Sequence, residues 1–193
     1  MSVAGILLAA GGSTRLGSPK QLLIYEGRTL LRRAAETLLA AGCRPVVVVL
    51  GGSVERLTPE LAGLDVSTVV NAGWERGMGS SLRVALAALS PGPEIEAVLL
   101  TLCDQPLIKP ETLECLLAAW RDAPGRSIAA AEYDGTLGVP AIFGREHFTE
   151  LATLPDAAGA KPILQRHAAQ VVAVSMPEAT IDIDTREQYE QIA

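Results

Sequence analysis

The residues with the clearest chemical potential lie near the amino terminus, in the segment Leu7–Lys20 (LLAAGGSTRLGSPK). A short apolar run leads into a glycine-bearing loop that carries two cations, Arg15 and Lys20. Glycines let backbone N–H groups approach an anion closely, and cations neutralise the charge that builds up on a triphosphate under attack. The segment is neither a Walker loop nor a GxGxxG turn. An ordinary turn would need neither cation at this spacing, so we interpret the segment as a phosphate-holding loop.

Acidic residues at two further places could complete such a site with a metal ion. Asp104 follows an apolar run within the sequence Cys-Asp-Gln-Pro, and Asp182 and Asp184 alternate in Ile-Asp-Ile-Asp-Thr. A hard cation such as Mg²⁺ prefers oxygen ligands and is often held by one or two carboxylates together with substrate phosphates. The alternative role for Asp104 is a turn or a helix cap, and capping explains Asp184 equally well.

A scaffold of alternating strands and helices is needed to bring these distant residues together. Apolar runs such as VVVVL and AVLLTL are typical of strands that helices cover on both faces, as in a parallel α/β sheet. In such a sheet, ligands gather at the carboxyl ends of the strands. The pattern predicts strands at Val3–Ala9, Pro45–Leu50, Val66–Val70, Ala97–Leu102 and Ser127–Glu132, and helices at Leu30–Ala41, Val54–Leu61, Ser80–Leu89 and Pro110–Trp120.

The last third of the chain is less regular. We expect a hairpin within Ala130–Phe143, a short helix near His147, a helix at Pro162–His167, a strand at Val171–Val174 and a terminal helix from Thr185. No linker or repeat marks a second domain, so residues 1–193 are predicted to form a single domain.

Composition excludes several classes of function. The chain has 193 residues, 49% of them hydrophobic, and a formal net charge of -6, which disfavours a nucleic-acid or anionic-membrane surface. Three cysteines without a CxxC spacing suggest neither a disulfide framework nor a structural zinc site. The apolar opening VAGILLAA is too short to span a bilayer. We therefore expect a cytoplasmic protein with small-molecule partners.

Two motifs resemble those of a known enzyme group. The first loop resembles the signature LAAGxSxRxGxxK of the nucleotidyltransferases and, within them, of the MocA-like molybdenum cofactor cytidylyltransferases. The segment Asn71–Leu82 resembles their N-x-x-W-x-x-G-M-x-x-S-L element, whereas the guanylyl-transferring MobA relatives carry a G-P-L type element. Ala10 stands where those relatives have glycine, and an added methyl in a tight base pocket costs a purine more than a pyrimidine. The resemblance thus favours CTP.

The resemblance implies a fold, a reaction and a set of roles. The fold would be a three-layer α/β sandwich with a mostly parallel sheet, of the nucleotide-diphospho-sugar transferase type. The reaction would transfer CMP from CTP to a phosphate-bearing acceptor, molybdopterin, with release of pyrophosphate. Arg15, Lys20 and Asp104 would be catalytic, with Mg²⁺ held by Asp104 and Asp184 rather than Asp182. The implied nucleotide-binding residues are Leu8, Ala9, Ala10, Gly11, Gly12, Arg15, Lys20, Asn71, Gly77, Met78, Ser80 and Ser81.

The acceptor side matches the family less closely. Gly138–Phe143 resembles its G-H-P-x-x-F element with Val139 in place of histidine, and Asp156–Lys161 resembles its G-D-x-G-A-R element with lysine in place of arginine. The implied acceptor-binding residues are Gly138, Pro140, Asp156, Gly159 and Lys161.

Three alternatives remain open at this level. One is a cytidylyl- or uridylyltransferase that acts on a sugar or polyol phosphate. Another is a non-catalytic accessory protein that hands the cofactor to a molybdoenzyme, although such a protein would not need all four of Arg15, Lys20, Asp104 and Asp184. Trp74 could serve the base-side loop or anchor the core. His147 and His167 lie outside every motif and receive no role.

Overall fold

A computed structural model describes residues 2–12, 16–89, 94–123, 125 and 127–192, so the predicted phosphate-loop residue Arg15 lies outside the described residues. The strands are β1 (Ser2–Ala9), β2 (Ile24–Tyr25), β3 (Arg28–Thr29), β4 (Val46–Leu50), β5 (Ser67–Val70), β6 (Ile95–Leu102), β7 (Ile128–Tyr133), β8 (Thr136–Gly144) and β9 (Val171–Ser175). The α-helices are α1 (Leu30–Ala40), α2 (Val54–Leu57), α3 (Met78–Leu89), α4 (Pro110–Arg121), α5 (Phe148–Ala152), α6 (Lys161–Arg166) and α7 (Arg186–Glu190).

Seven of these strands form one sheet in the order β5-β4-β1-β6-β8-β7-β9. Strands β5, β4, β1 and β6 run parallel to their neighbours, as do β7 and β9. Strand β8 is antiparallel to both β6 and β7. The predicted mostly parallel sheet is confirmed. Since β1 and β6 are neighbours in the middle of the sheet, the residues that follow them meet at one edge.

The sheet is covered on both faces, as the continuous apolar runs predict. Consecutive residues such as Ile6 and Leu7 are both fully buried but belong to different hydrophobic clusters, because successive strand side chains point to opposite faces. Helices α1, α2 and α4 cover one face, and α3, α5 and α6 cover the other. This is the three-layer α/β sandwich that the sequence predicts.

The structure departs from the predicted elements in small ways with local causes. The predicted helix at 54–61 is an α-turn at Val54–Leu57 followed by a 3₁₀ turn at Thr58–Leu61, and Pro59 lies at the start of that second turn. Helix α3 begins at Met78, two residues before the predicted start. The small hairpin of β2 and β3 was not predicted, since two-residue strands carry almost no periodicity. Among the described residues, no helix has the length and apolar character needed to cross a membrane.

Candidate active site

A partly buried lysine joins two carboxylates that come from distant parts of the chain. Lys20 Nζ donates to Asp104 Oδ2 at 2.5 Å and to Asp184 Oδ1 at 2.8 Å. Lys20 begins a 3₁₀ turn behind the first loop, and Asp104 follows β6. The side chains of Lys20 and Asp104 are 14% exposed, whereas that of Asp184 is 44% exposed. The structure thus brings together three of the predicted site residues at one edge of the sheet.

Backbone contacts explain how Asp184 reaches this position. The N–H of Ile183 donates to the carbonyl oxygen of Asp104 at 3.0 Å, and the Ile183 side chain is fully buried. Helix α7 is capped by Thr185, whose hydroxyl accepts from the backbone N–H of Gln188. The capping explanation of Asp184 is therefore wrong, because its carboxylate accepts from Lys20 and its neighbour makes the cap.

Asp104 is not a helix cap either. Helix α4, the next helix along the chain, begins only at Pro110, and the residue before it is Lys109. The side chain of the following residue, Gln105, donates to the carbonyl oxygens of Val139 at 3.1 Å and Ala179 at 2.9 Å. The turn after β6 is thereby tied to β8 and to the carboxyl-terminal segment.

The electrostatics of this cluster keep Lys20 charged. Burial alone would lower its pKa, but the negative charge of Asp104 and the hydrogen bonds from Lys20 to Asp104 and Asp184 outweigh burial, so the pKa is raised. Burial also raises the pKa of Asp182, and the negative charges of Asp184 and Asp104 add to this effect. Three carboxylates therefore crowd around one ammonium group.

The same carboxylates fit a divalent metal ion. Asp104 Oδ1 is buried and has no hydrogen-bond partner among the described residues. The other oxygen, Asp104 Oδ2, and Asp184 Oδ1 both accept from the ammonium group of Lys20. A buried oxygen without a partner is costly unless something binds it. Oxygen donors of this kind suit a hard cation such as Mg²⁺ or Mn²⁺. Asp104 and Asp184 are the residues that would hold it.

A cleft of about 290 Å³ opens beside the cluster. It is lined by Leu8, Ala9, Ala10, Gly11, Lys20, Gln21, Trp74, Glu75, Gly77, Met78, Ser81, Leu102, Cys103 and Asp104. Many of the residues predicted to bind a nucleotide thus share one concave surface with Lys20 and Asp104. A larger depression of about 690 Å³ lies at α2, and of the described residues that line it none is a predicted site residue. The smaller cleft is therefore the candidate active site.

Gln21 holds the first loop in place, a role that the sequence did not reveal. Its side chain is 1% exposed, and Nε2 donates to the carbonyl oxygens of Ala9 and Gly11, both at 2.8 Å. These carbonyls lie on either side of the turn out of β1. Only its position next to Lys20 could have drawn attention to it, because its partners are backbone atoms that no motif records.

We expect Gln21→Ala to lower the free energy of unfolding by about 2–3 kcal/mol, since two buried hydrogen bonds are lost and two carbonyl oxygens lose their donor. Chemical denaturation measures this change. Gln165→Ala, on the exposed side of α6, is the matched control and should change stability by less than about 0.5 kcal/mol. Equal stabilities of the two variants would show that Gln21 does not stabilise the first loop.

Trp74 forms one wall of the cleft and also packs against the protein interior. A Cβ atom at Gly12 would lie 2.4 Å from the indole ring, and one at Gly51 would lie 2.6 Å from the Trp74 side chain. Glycine is required at both positions for this close approach. Both roles considered for Trp74 are therefore realised: it is partly buried against the core and its surface faces the cleft.

Asn71 and Ser80, which are predicted nucleotide-binding residues, lie buried near the start of α3. Asn71 is 5% exposed, and its Nδ2 donates to the hydroxyls of Ser80 at 2.8 Å and Ser81 at 3.0 Å, while its Oδ1 accepts from the N–H of Gly73. Ser80 donates in turn to the carbonyl oxygen of Gly77 at 2.7 Å. These polar groups satisfy one another behind the cleft wall. They position the start of α3, and Ser81 and Met78 line the cleft itself.

Asp156 is engaged by two arginines. Arg83 donates to Asp156 Oδ1 at 2.9 Å and Arg76 pairs with the other oxygen. The hydrogen bond from Arg83 is the main reason why the pKa of Asp156 is lowered. A Cβ atom at Gly77, whose φ is +123°, would lie 2.5 Å from the Asp156 carbonyl oxygen, and one at Gly79 would lie 2.2 Å from that of Pro155. The loop at 155–158 is thus packed against α3, and Asp156 acts as a positioning residue there.

The other predicted acceptor residues are spread over a wider surface. Gly159 approaches the sulfur of Met78, and Lys161 begins α6 with an exposed side chain. Gly138 and the buried Pro140 lie in β8, where the neighbouring Val139 carbonyl accepts from Gln105. None of these four residues is among the described residues that line the cleft, although Gly159 is close to Met78, which does line it.

Comparison with known proteins agrees with this geometry. Residues 5–171 match the family model described as the MobA-like NTP transferase domain. The chain is 37% identical over 198 residues to nicotine blue oxidoreductase of Paenarthrobacter nicotinovorans, covering 96% of this chain and 94% of that protein.

Solved structures share the fold of this chain. The crystal structure of Rv0371c from Mycobacterium tuberculosis H37Rv superposes with a TM-score of 0.81 at 31% identity, covering 99% of this chain and 97% of that one. A structure of the same protein in complex with manganese gives 0.80 at 29% identity, covering 100% and 98%. The family match over residues 5–171 and the sandwich fold show that this chain belongs to the MobA-like NTP transferase family of nucleotidyltransferases.

Proposed function

We propose that this protein transfers CMP from CTP to a phosphate-bearing acceptor, molybdopterin, and releases pyrophosphate. The observation that carries the proposal is the convergence of Lys20, Asp104 and Asp184 at the mouth of a cleft lined by the first loop and the start of α3. A partly buried ammonium group and an oxygen-rich cation site beside a glycine-bearing loop are what a triphosphate requires. The assignment of CTP as the nucleotide and of molybdopterin as the acceptor rests on the motif resemblance to MocA-like enzymes.

The proposed chemistry asks nothing covalent of the protein. An oxygen of the acceptor phosphate attacks the α-phosphorus of CTP in line, a new O–P bond forms, and the bond between the α-phosphorus and the bridging oxygen to the β-phosphate breaks. Lys20 lies where it can neutralise the charge that passes to the departing pyrophosphate, and Gly11 of the first loop lines the same cleft. Mg²⁺ held by Asp104 and Asp184 would supply charge neutralisation on the phosphates. The manganese complex of Rv0371c supports a divalent ion in this family.

Base choice rests on the wall opposite the charged cluster. Ala10 is 6% exposed and lines the cleft with Met78 and Ser81. The N–H of Gly52 donates to the Ala10 carbonyl oxygen at 3.4 Å and helps to fix the backbone of this residue. A methyl group held in a tight base pocket costs a purine more than a pyrimidine. The proposal therefore names a pyrimidine nucleotide.

For Ala10→Gly we expect the ratio of CTP affinity to GTP affinity to fall about tenfold. One methyl group in a fitted pocket discriminates between ligands by about 1–3 kcal/mol. Competition binding with Mg²⁺ present measures both affinities. Ala41→Gly, at the end of α1 and away from the cleft, is the control for a general effect of glycine. Wild-type protein that binds GTP as tightly as CTP would refute the base assignment.

Pyrophosphate release from each of the four ribonucleoside triphosphates tests the proposed reaction. The acceptors are molybdopterin, a sugar phosphate and no acceptor. Pyrophosphate release that needs both CTP and molybdopterin supports the proposal. Release that occurs with the sugar phosphate and not with molybdopterin would instead support a cytidylyl- or uridylyltransferase that acts on a sugar or polyol phosphate. We further propose that the reaction takes place in the cytoplasm and that the product passes to a molybdoenzyme through a transient contact.

A second candidate function comes from one relative. Nicotine blue oxidoreductase is named for redox chemistry, and its 37% identity extends over 96% of this chain. The same cleft could then hold a redox nucleotide, whose phosphates would meet the same loop. Oxidation of NADPH in the presence of a quinonoid dye discriminates the two functions, because a nucleotidyltransferase leaves the NADPH absorbance unchanged.

A further inference from the structure

Two histidines and a glutamate form a cluster that the nucleotide site does not use. His167 Nε2 lies 2.9 Å from Glu150 Oε2, and His147 Nδ1 lies 3.7 Å from the same oxygen. One ligand atom from each residue lies within 4.8 Å of the other two. Three protein ligands at about 2.0–2.2 Å from a tetrahedral ion must be about 3.4 Å apart, so small side-chain rotations would suffice for a metal ion to bind.

The buried member of the cluster is already oriented. His147 is 6% exposed, and its Nε2 lies 2.6 Å from the hydroxyl of Ser127. When Ser127 accepts the Nε2–H proton, the lone pair of Nδ1 is directed at Glu150. Metal-bound histidines commonly donate their second ring N–H to such an outer partner, which fixes the ring and its tautomer. Glu150 Oε1 pairs with Arg166, which leaves Oε2 facing the two imidazoles.

The cluster is separate from the nucleotide cleft. His147 follows the end of β8, Ser127 precedes β7, and His167 precedes β9. It therefore lies at the amino-terminal ends of β7 and β9, whereas Asp104 lies at the carboxyl-terminal end of β6. Because parallel strands expose these two ends at opposite edges of the sheet, an ion here could not reach a triphosphate in the cleft.

We propose that His147, Glu150 and His167 form a second metal site, selective for zinc or a similar borderline-soft cation, with a fourth position open to solvent. Imidazole nitrogens favour Zn²⁺ over Mg²⁺, which prefers all-oxygen surroundings. The two nitrogens and one oxygen here are thus a different donor class from the carboxylates of Asp104 and Asp184. Glu150 and His167 are each 23% exposed, which gives an ion a path in from solvent.

The proposed role of the ion is to hold α5 and α6 together. Glu150 is in α5 and His167 directly follows α6. The loop between these helices contains the 155–158 segment that packs on Gly77 and Gly79, at the base-side wall of the cleft. An ion that joins the two helices would therefore stabilise the 155–158 segment behind that wall without contacting the nucleotide.

Zinc titration of the untagged full-length protein, stripped with EDTA and kept in excess Mg²⁺, tests the proposal. Competition against a chromophoric chelator should show one equivalent of Zn²⁺ bound, and Co²⁺ should give the visible absorption of a tetrahedral site. His167→Gln should weaken Zn²⁺ binding at least about 100-fold and remove the Co²⁺ bands, and Ser127→Ala should weaken it about 10–100-fold. Zn²⁺ should also raise the melting temperature of the wild type but not that of His167→Gln.

Asp104→Asn is the matched control, since it alters the oxygen site and should leave Zn²⁺ affinity unchanged. His167 is at the end of a helix and partly exposed, so its variant is expected to fold even if a variant of buried His147 does not. Equal Zn²⁺ affinity in the wild type and His167→Gln would overturn the proposal. So would the absence of stoichiometric binding to the wild type, which would make the cluster a hydrogen-bonded latch between helices.

Discussion

Asp104→Asn is expected to lower kcat for pyrophosphate release by about 10²–10³-fold while the protein remains folded. Asparagine keeps the shape of the side chain but removes the negative charge that faces Lys20 at 2.5 Å and the buried oxygen that has no partner among the described residues. Because a hard cation binds carboxylate oxygens far better than an amide, the Mg²⁺ concentration needed for half-maximal rate should also rise. Steady-state kinetics over a range of Mg²⁺ concentrations measures both effects.

Asp182→Asn is the matched control for this prediction. Asp182 is close enough to Asp104 and Asp184 for their charges to raise its pKa, yet Lys20 donates to those two residues. Its amide variant should therefore retain most of the rate. Unchanged turnover in Asp104→Asn, or an equal loss in Asp182→Asn, would remove Asp104 from its proposed role.

Lys20→Ala should depress kcat about 100-fold and change KM for CTP much less. In the proposed reaction, the ammonium group of Lys20 would meet charge that grows on the pyrophosphate only as the bond to the α-phosphorus breaks. Its interaction would then be stronger in the transition state than in the bound substrate. Asp104 and Asp184 also lose their shared partner, and a moderate fall in melting temperature is expected with the loss of rate. Kinetics and thermal denaturation of the same preparation separate the two effects.

Lys109→Ala, with an exposed lysine just before α4, is the control for the loss of one positive charge on the surface. Its kcat, KM and melting temperature should stay near those of the wild type. A Lys20→Ala variant with the wild-type kcat and a lowered melting temperature would show that Lys20 is only a structural bridge.

The fold and the charged cluster followed from the sequence because both depend on local patterns. Apolar runs at every position predicted strands buried on both faces, and the structure confirms them in β4 and β6. Asp104 was placed at the carboxyl end of a strand, where ligands gather in a parallel sheet. The resemblance to the nucleotidyltransferases paired it with Asp184. The helix-cap explanations failed for local reasons: the cap of α7 belongs to Thr185, one residue beyond Asp184, and α4 begins only at Pro110, well after Asp104.

Other features could not be predicted, since their partners are backbone atoms or residues far away in the chain. Gln21 holds two carbonyl oxygens, and the buried Asn71 donates to the hydroxyls of two serines. Asp156 is paired with Arg76 and Arg83 by a packing of loop on helix that no spacing encodes. His147 and His167 meet at Glu150 only because β8 and α6 end near each other. Such contacts depend on tertiary packing rather than on periodicity.

The most direct test of the central claim follows the α-phosphate of CTP. CTP labelled at the α-phosphorus is incubated with Mg²⁺ and molybdopterin, and the label in the acceptor and the released pyrophosphate are counted together. We predict that one label enters the acceptor for each pyrophosphate released, that GTP gives far less transfer, and that Asp104→Asn slows the formation of both products by about 10²–10³-fold. No transfer of label to molybdopterin or to a sugar phosphate, with NADPH oxidised by the same preparation, would contradict it.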